Sequence, residues 1–236
     1  MCLSTESAKA RPPFGACQAW GLTTEEVWGS TLCACDIIIR LRYNATPIAD
    51  DTDSFGHGSA WHVAGKRTRM ELVFLRHGLA TDREVWKGKD DDRPLTAEGV
   101  DRTKDVVRGL RALKVRTDVI LSSPLLRARE TAEIAKKGLI PDGKVELADE
   151  LIPSAAPDQL IARLADLADK PVVLCVGHEP HISTTISAMV SGKTAASFEV
   201  KKAGACCIRF TGIPKAGAGT MLWLLPPKFL RIIAER

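Results

Sequence analysis

Three short stretches of this chain gather side chains suited to handling a phosphoryl group: Leu75-Arg76-His77-Gly78, Ser122-Ser123-Pro124-Leu125-Leu126-Arg127 and Val176-Gly177-His178-Glu179-Pro180. Arginine presents a planar fork of donors that matches phosphoryl oxygens, and imidazole can act as nucleophile, donor or proton carrier near neutral pH. For His77 to attack phosphorus through one ring nitrogen, the other must keep its proton against an acceptor such as a backbone carbonyl. That contact fixes the tautomer and aims the lone pair. Gly78 lets the backbone approach closely. Arg76, Arg127 and His178 would then neutralise the equatorial oxygens as charge spreads in the transition state, where one lost donor costs roughly 3 kcal/mol. This chemistry needs no metal and no cofactor, and Arg76, Gly78, Arg127 and His178 double as the substrate-binding set.

Taken singly, each stretch has a plainer reading. A histidine at a strand end is often structural, and Gly177-His178-Glu179 can be a tight turn with Glu179 near a helix start. Arg127, however, falls in the first turn of an expected helix, where the macrodipole disfavours a cation. Its position implies an anion nearby.

The elements around these stretches explain how they could meet. Residues 70–75 (MELVFL), 118–121 (DVIL) and 171–176 (PVVLCV) read as buried strands, with further strands around 205–210 and 221–225. Helices are expected over 96–114 with Thr96 as N-cap, from Ser123-Pro124 to about 136 with Gly138 as a stop, over about 158–168, and near 182–190. Alternating strands and helices predict an α/β fold, a three-layer α/β/α sandwich with a mostly parallel central sheet. In such a sheet the ligand crevice lies at the carboxyl ends of the strands, where all three polar stretches fall.

These residues resemble the histidine phosphatase superfamily, which is phosphoglycerate mutase-like in fold. The resemblance is carried by LRHG at 75–78, RPLTAEG at 93–99, SSPLLRARETA at 122–132 and VGHEPHIS at 176–183. KKAG at 201–204 and LWLLPPKFLR at 222–231 look like its SixA-type phosphohistidine phosphatases. The resemblance covers 70–236 and none of 1–69. It implies that His77 is transiently phosphorylated, that Arg76, Arg127 and His178 hold the phosphoryl group, and that water releases it. The implied substrate is a histidine-phosphorylated protein, as in a phosphorelay.

Many phosphoester-cleaving relatives carry a glutamate as general acid after the third strand-helix unit. Here that segment reads Glu150-Leu-Ile-Pro-Ser-Ala-Ala-Pro157, with Pro153 where the acid is expected. Glu150 and Asp82 are the remaining candidates. An imidazole leaving group needs less protonation than an alkoxide, which favours phosphohistidine over small phosphoesters. The chain is short after the second stretch, so a shallow, open pocket is expected. The alternatives are a histidine-phosphatase-type hydrolase of small phosphoesters and a non-catalytic phosphate-binding scaffold. A P-loop reading of Ser191-Gly192-Lys193-Thr194 fails because position 187 is Ser rather than Gly and no strand leads into it.

Composition sets the frame. With 45% apolar and 26% charged residues in 236, one main domain with a small appendage is expected. The formal charge of +4 falls entirely within residues 70–236, since residues 1–69 hold seven Lys/Arg and seven Asp/Glu. This is too little for a dedicated nucleic-acid binder, yet it suits a phosphate pocket. No apolar run of membrane-spanning length and no secretion signal are evident, so the default address is cytoplasmic, with no membrane partner. Residues 1–69 lack sustained periodicity and are read as a poorly ordered extension, expected to reflect a mis-assigned start, before a domain at 70–236 that opens at Met70. Seven cysteines make a disulfide framework unlikely on parity, and Cys33, Cys35, His57 and His62 lack the spacing of a zinc site. Cys206 and Cys207 are expected in the core. Lys201 and Lys202 are candidates for a pocket rim that attracts an acidic partner.

Overall fold

The computed structural model describes residues 69–195 and 197–235, so the expectations for the first 68 residues, and for the Cys33, Cys35, His57 and His62 set, lie outside the described residues. The apolar run after Arg69 forms β1 (Arg69–Arg76). Successive strand side chains point to opposite faces. Met70, Leu72 and Phe74 accordingly enter one core cluster, while Val73 and Leu75, also buried, face the other layer.

Four further strands and three helices follow the expected alternation: α1 (Ala97–Ala112), β2 (Val119–Ser122), α2 (Leu126–Leu139), β4 (Val172–Gly177), α4 (His181–Ser191), β5 (Ala205–Thr211) and β6 (Thr220–Leu225). The expected helix at 158–168 is α3 (Pro157–Ala165). Two elements escape the sequence pattern. β3 (Val145–Leu147) is three residues long and mostly exposed, too short for alternation to register. α5 (Pro227–Ala234) follows a Pro-Pro pair that reads as a break, yet Pro227 occupies the first turn, where a missing N–H costs nothing.

The strand order is β3-β2-β4-β1-β5-β6. β3, β2, β4 and β1 pair in parallel, and β5 runs antiparallel to both β1 and β6. Five strands thus share one direction and β5 alone opposes them, a reversal that apolar runs cannot encode. α1 packs on α2 and α5 over one face, and α3 packs on α4 over the other. This is the expected α/β/α sandwich.

Two helix ends differ from expectation. α2 begins at Leu126 rather than at Ser123-Pro124, its N-cap Leu125 makes no side-chain cap bond, and the serine hydroxyl is engaged elsewhere. Gly138 does not stop the helix. It lies inside α2, where a Cβ would stand 2.3 Å from Val107 Cγ1, so the glycine serves the α1–α2 contact. Thr96 caps α1 as expected, its Oγ1 accepting from Gly99 N–H at 2.9 Å. Gly192 ends α4 in the left-handed conformation, φ 74°, so the Ser191–Thr194 stretch closes a helix instead of opening one around a phosphate. Cys175, Cys206 and Cys207 are fully buried in the sheet. Burial pushes the Cys175 thiol well up and the Cys206 thiol to about 12. Among the described residues no helix is long and apolar enough to cross a membrane.

The α1–α5 contact is the tightest helix approach: a Cβ on Gly109 would lie 2.0 Å from the Leu230 carbonyl oxygen, a backbone atom that cannot swing aside. Gly109→Ala is expected to destabilise the fold by about 1–3 kcal/mol despite alanine's better helix propensity. Urea unfolding measures this, and an unchanged or higher midpoint would contradict the packing.

Candidate active site

β2, β4 and β1 are consecutive in the sheet, and this brings the three polar stretches together. Arg76 is in register with Gly177, and Ser122 with Val176. The ladder continues one step beyond the strands: His77 N–H donates to Gly177 O, and Ser123 N–H to Val176 O, both at 3.0 Å. His77 and His178 therefore leave neighbouring strands side by side, their ring centroids 4.9 Å apart and their planes inclined by 49°.

The His77 ring is fixed by its own neighbour, Nδ1 lying 2.8 Å from the Gly78 carbonyl oxygen. A carbonyl can only accept, so Nδ1 carries the proton and Nε2 keeps its lone pair. Gly78 is held in turn: its N–H donates to Thr131 Oγ1 at 3.0 Å, and the Thr131 hydroxyl donates to Arg127 O at 2.7 Å. A Cβ on Gly78 would stand 2.4 Å from Thr103 Oγ1 and 3.3 Å from Gly99 O, so glycine alone fits against the first turn of α1. Burial lowers the His77 pKa to about 3, opposed by the Gly78 contact and reinforced by Arg127, Arg76 and Lys202. The ring is neutral throughout the physiological range, with the lone pair available.

His178 is 2% exposed, and its Nε2 lies 2.9 Å from Ser123 Oγ. With the serine hydroxyl donating, Nδ1 holds the ring proton. Burial first, then His77 and Arg127, lower its pKa to about 2. Arg127, in the first turn of α2, is 4% exposed. Its Nη1 donates to Asp90 O at 2.8 Å and its Nη2 to Asp90 Oδ2 at 3.1 Å. The anion that its position implied is present, as the Asp90 carboxylate. Desolvation pushes Asp90 up, but Arg127, Arg93 and Arg83 together hold it below the usual carboxylate range. Arg76 donates through Nη1 to Val200 O at 2.8 Å. Burial lowers its pKa, while Glu179 and Glu199 support the charge.

Among the described residues, three buried nitrogens on the side chains that act on His77 have no hydrogen-bond partner: Arg76 Nε, Arg127 Nε and His178 Nδ1. Buried donors are normally satisfied, and unpaired ones in a shared polar site are suited to an oxyanion. The imidazoles are more enclosed than the expected shallow pocket, His77 being only 6% exposed. The turn at Asp90–Asp92 docks on Arg127, and the loop carrying it is clasped at its base. Thr96 N–H donates to Leu79 O, Thr81 N–H to Pro94 O, and Leu95 N–H to Glu130 Oε2. Residues 93–99 and Glu130 thus fasten the loop over the site.

The two general-acid candidates lie on different segments. Glu150 lies in the turn Asp149–Leu151, whose Leu151 carbonyl abuts Gly177. Asp82 lines a cavity of about 420 Å³ with Thr81, Arg83, Arg93 and Lys202. Among the described residues, neither carboxylate bonds to His77 or His178. Sequence reasoning missed Ser123, Thr131 and Asp90 as orienting partners. The acidic run Asp90-Asp91-Asp92 was the available signal for the last. Among the described residues no cluster of His, Cys, Asp or Glu is arranged to hold a metal.

Known proteins resemble this chain in sequence and in fold. Residues 72–152 match the model of the histidine phosphatase superfamily (branch 1). An uncharacterised protein of Picosynechococcus is 38% identical over 68% of this chain and 99% of its own length. The phosphohistidine phosphatase SixA of Escherichia coli is 28% identical, covering 69% of this chain and 98% of the relative. The solved structure of the protein histidine phosphatase SixA complexed with tungstate superposes with a TM-score of 0.60 at 27% identity, over 68% of this chain and 99% of the other. The chain belongs to the histidine phosphatase superfamily, and within that family it is of the SixA type.

Proposed function

We propose that the protein is a phosphohistidine phosphatase that removes phosphate from a histidine-phosphorylated protein in the cytoplasm. The observation that carries this reading is the neutral His77 ring, protonated at Nδ1 against Gly78 O and ringed by buried donors without partners. In the first step Nε2 attacks phosphorus and the bond to the substrate imidazole breaks. The electron pair stays on that imidazole, which leaves as the neutral base when its other nitrogen carries a proton. His77 becomes a phosphoimidazolium, its positive ring steadied by the Nδ1–H contact to Gly78 O. Arg76 Nε, Arg127 Nε and His178 Nδ1 are the donors available to the equatorial oxygens. In the second step water attacks, phosphate departs, and the pair returns to Nε2. Among the described residues no carboxylate bonds to either imidazole, which agrees with a leaving group that needs little protonation.

His77→Ala is expected to abolish phosphate release from a phosphohistidine protein, and His178→Ala to slow it by roughly a hundredfold or more, as loss of a transition-state donor does. A chelator should change neither wild type nor variant. A panel of phosphoglycerates, sugar phosphates and nucleotides should be poorer substrates; a kcat/KM favouring one of them would replace the substrate assignment with the small-phosphoester alternative.

Ser123→Ala removes the partner that orients His178, and should lower kcat about tenfold while leaving KM little changed. An equal effect on KM, with kcat intact, would show that the serine acts on binding alone.

The pH profile has a defined sign. A histidine with its pKa lowered to about 3 stays neutral on acidification until near that value, so His77 contributes no acid limb to kcat/KM between pH 8 and 5. After correction for ionisation of the substrate, the profile should be flat on its acid side in this range. A residual limb with a midpoint near 6.5 would show that the ring is exposed and protonated in that range.

A further inference from the structure

Next to the candidate active site lies a cavity of about 400 Å³ whose wall carries five cationic side chains, Arg76, Arg102, Lys201, Lys202 and Arg231, and no acidic one. They come from four segments that are distant in sequence: the end of β1, the first half of α1, the turn before β5, and α5. Their convergence is built by the fold. The lysine turn is fastened directly to the nucleophile's backbone, since Ala203 N–H donates to Arg76 O and His77 O at 3.2 and 3.1 Å, and Arg76 N–H donates to Gly204 O at 3.0 Å. Ala203 is held at φ 58°, a conformation that costs an alanine energy and persists only where surrounding contacts impose it.

Gathering like charges in one concave wall is unfavourable unless an anion answers them. Among the described residues, Glu179 supports the Arg76 charge, and the ion pairs made by the other cations lie at the rim. Glu98 pairs with Arg102, and Glu199 with Lys201 at 2.7 Å, both with side chains more than half exposed on each partner, where such pairs contribute little. Arg231 Nε and Arg76 Nε are buried and, among the described residues, have no hydrogen-bond partner. Arg76 belongs to both places, adjoining His77 in the chain and lining this cavity. A ligand group in the cavity and a phosphoryl group at His77 would therefore lie on either side of one arginine, close enough to belong to one substrate.

We propose that this cavity is a second anion subsite, and that it takes a carboxylate side chain of the protein substrate lying a few residues from its phosphohistidine. The inference rests on the phosphohistidine reading above. A carboxylate suits it because the cations are dispersed around an open wall, as for side chains approaching on a peptide, and because Lys202 and Arg76 also act on the phosphoryl position. A second phosphate on a small molecule shares the chemistry and is distinguished below.

The test compares phosphohistidine peptides flanked by Asp and Glu with the same peptides flanked by Asn and Gln, using wild type and Arg102→Gln/Arg231→Gln. Wild type should show a KM about tenfold lower for the acidic series, and the double variant should reduce that ratio to about two or less. The ratio is internal to each protein, so a general loss of activity does not mimic the result, and thermal unfolding of each variant checks the fold. Should the double variant fail to fold, inhibition of the wild type by the unphosphorylated acidic peptide, absent with its neutral counterpart, gives the same answer. A ratio near one in wild type, with both peptide series hydrolysed, would overturn the subsite and leave the phosphatase reading standing. Failure to hydrolyse any phosphohistidine peptide or phosphoramidate would overturn both. A bisphosphorylated small molecule preferred over both peptide series, with that preference lost in the double variant, would assign the cavity to a second phosphate and refute the carboxylate.

Discussion

The contact between His77 Nδ1 and the carbonyl of its own neighbour, Gly78, sets the terms for everything around it. It leaves Nε2 unprotonated and fixes the direction in which its lone pair points. It also demands that residue 78 have no side chain, since the backbone here is pressed against Thr103 and Gly99 of α1. Thr131 then bonds Gly78 to α2, the helix that carries Arg127, so the proposed nucleophile and the proposed phosphoryl ligand Arg127 share one short chain of hydrogen bonds. Neutral rings at both histidines follow from their burial, and Asp90, Arg93 and Glu130 fasten the neighbouring loop that docks on Arg127.

Sheet order does the rest of the positioning. Because β2, β4 and β1 are consecutive and parallel, three strand ends separated by dozens of residues emerge within a few ångströms of one another. The antiparallel β5 then brings the 201–204 turn back to the same end of β1. One end of the sheet thereby carries the proposed phosphoryl ligands and the adjoining basic wall. A parallel β5 would need a crossover and would place that turn at the far end of the sheet.

Much of this was legible in the sequence, for identifiable reasons. Arg76, His77 and His178 interrupt apolar strand runs, and a polar residue ending a buried strand stands out against its surroundings. Arg127 was visible as a cation in the wrong turn of a helix, and the implied anion exists as Asp90. What stayed hidden depends on pairing across long separations. Ser123 reads as a helix cap until His178, 55 residues on, is known to be its partner. Thr131 looks like any helical threonine until Gly78 is placed beside it. The direction of β5 and the three-residue β3 leave no periodic trace at all, and α5 is masked by two prolines that suit a helix start as well as a break.

The account depends on a covalent bond between phosphorus and one nitrogen of one residue. Rapid acid-free quenching during turnover of a radiolabelled phosphohistidine protein, followed by peptide mapping and phosphorus NMR of the trapped species, measures that bond directly. Acid-labile phosphate on Nε2 of His77, formed and lost at rates that match turnover, is the result the geometry requires. Turnover with no label on the enzyme, or with label on Nδ1 or on His178, would contradict it.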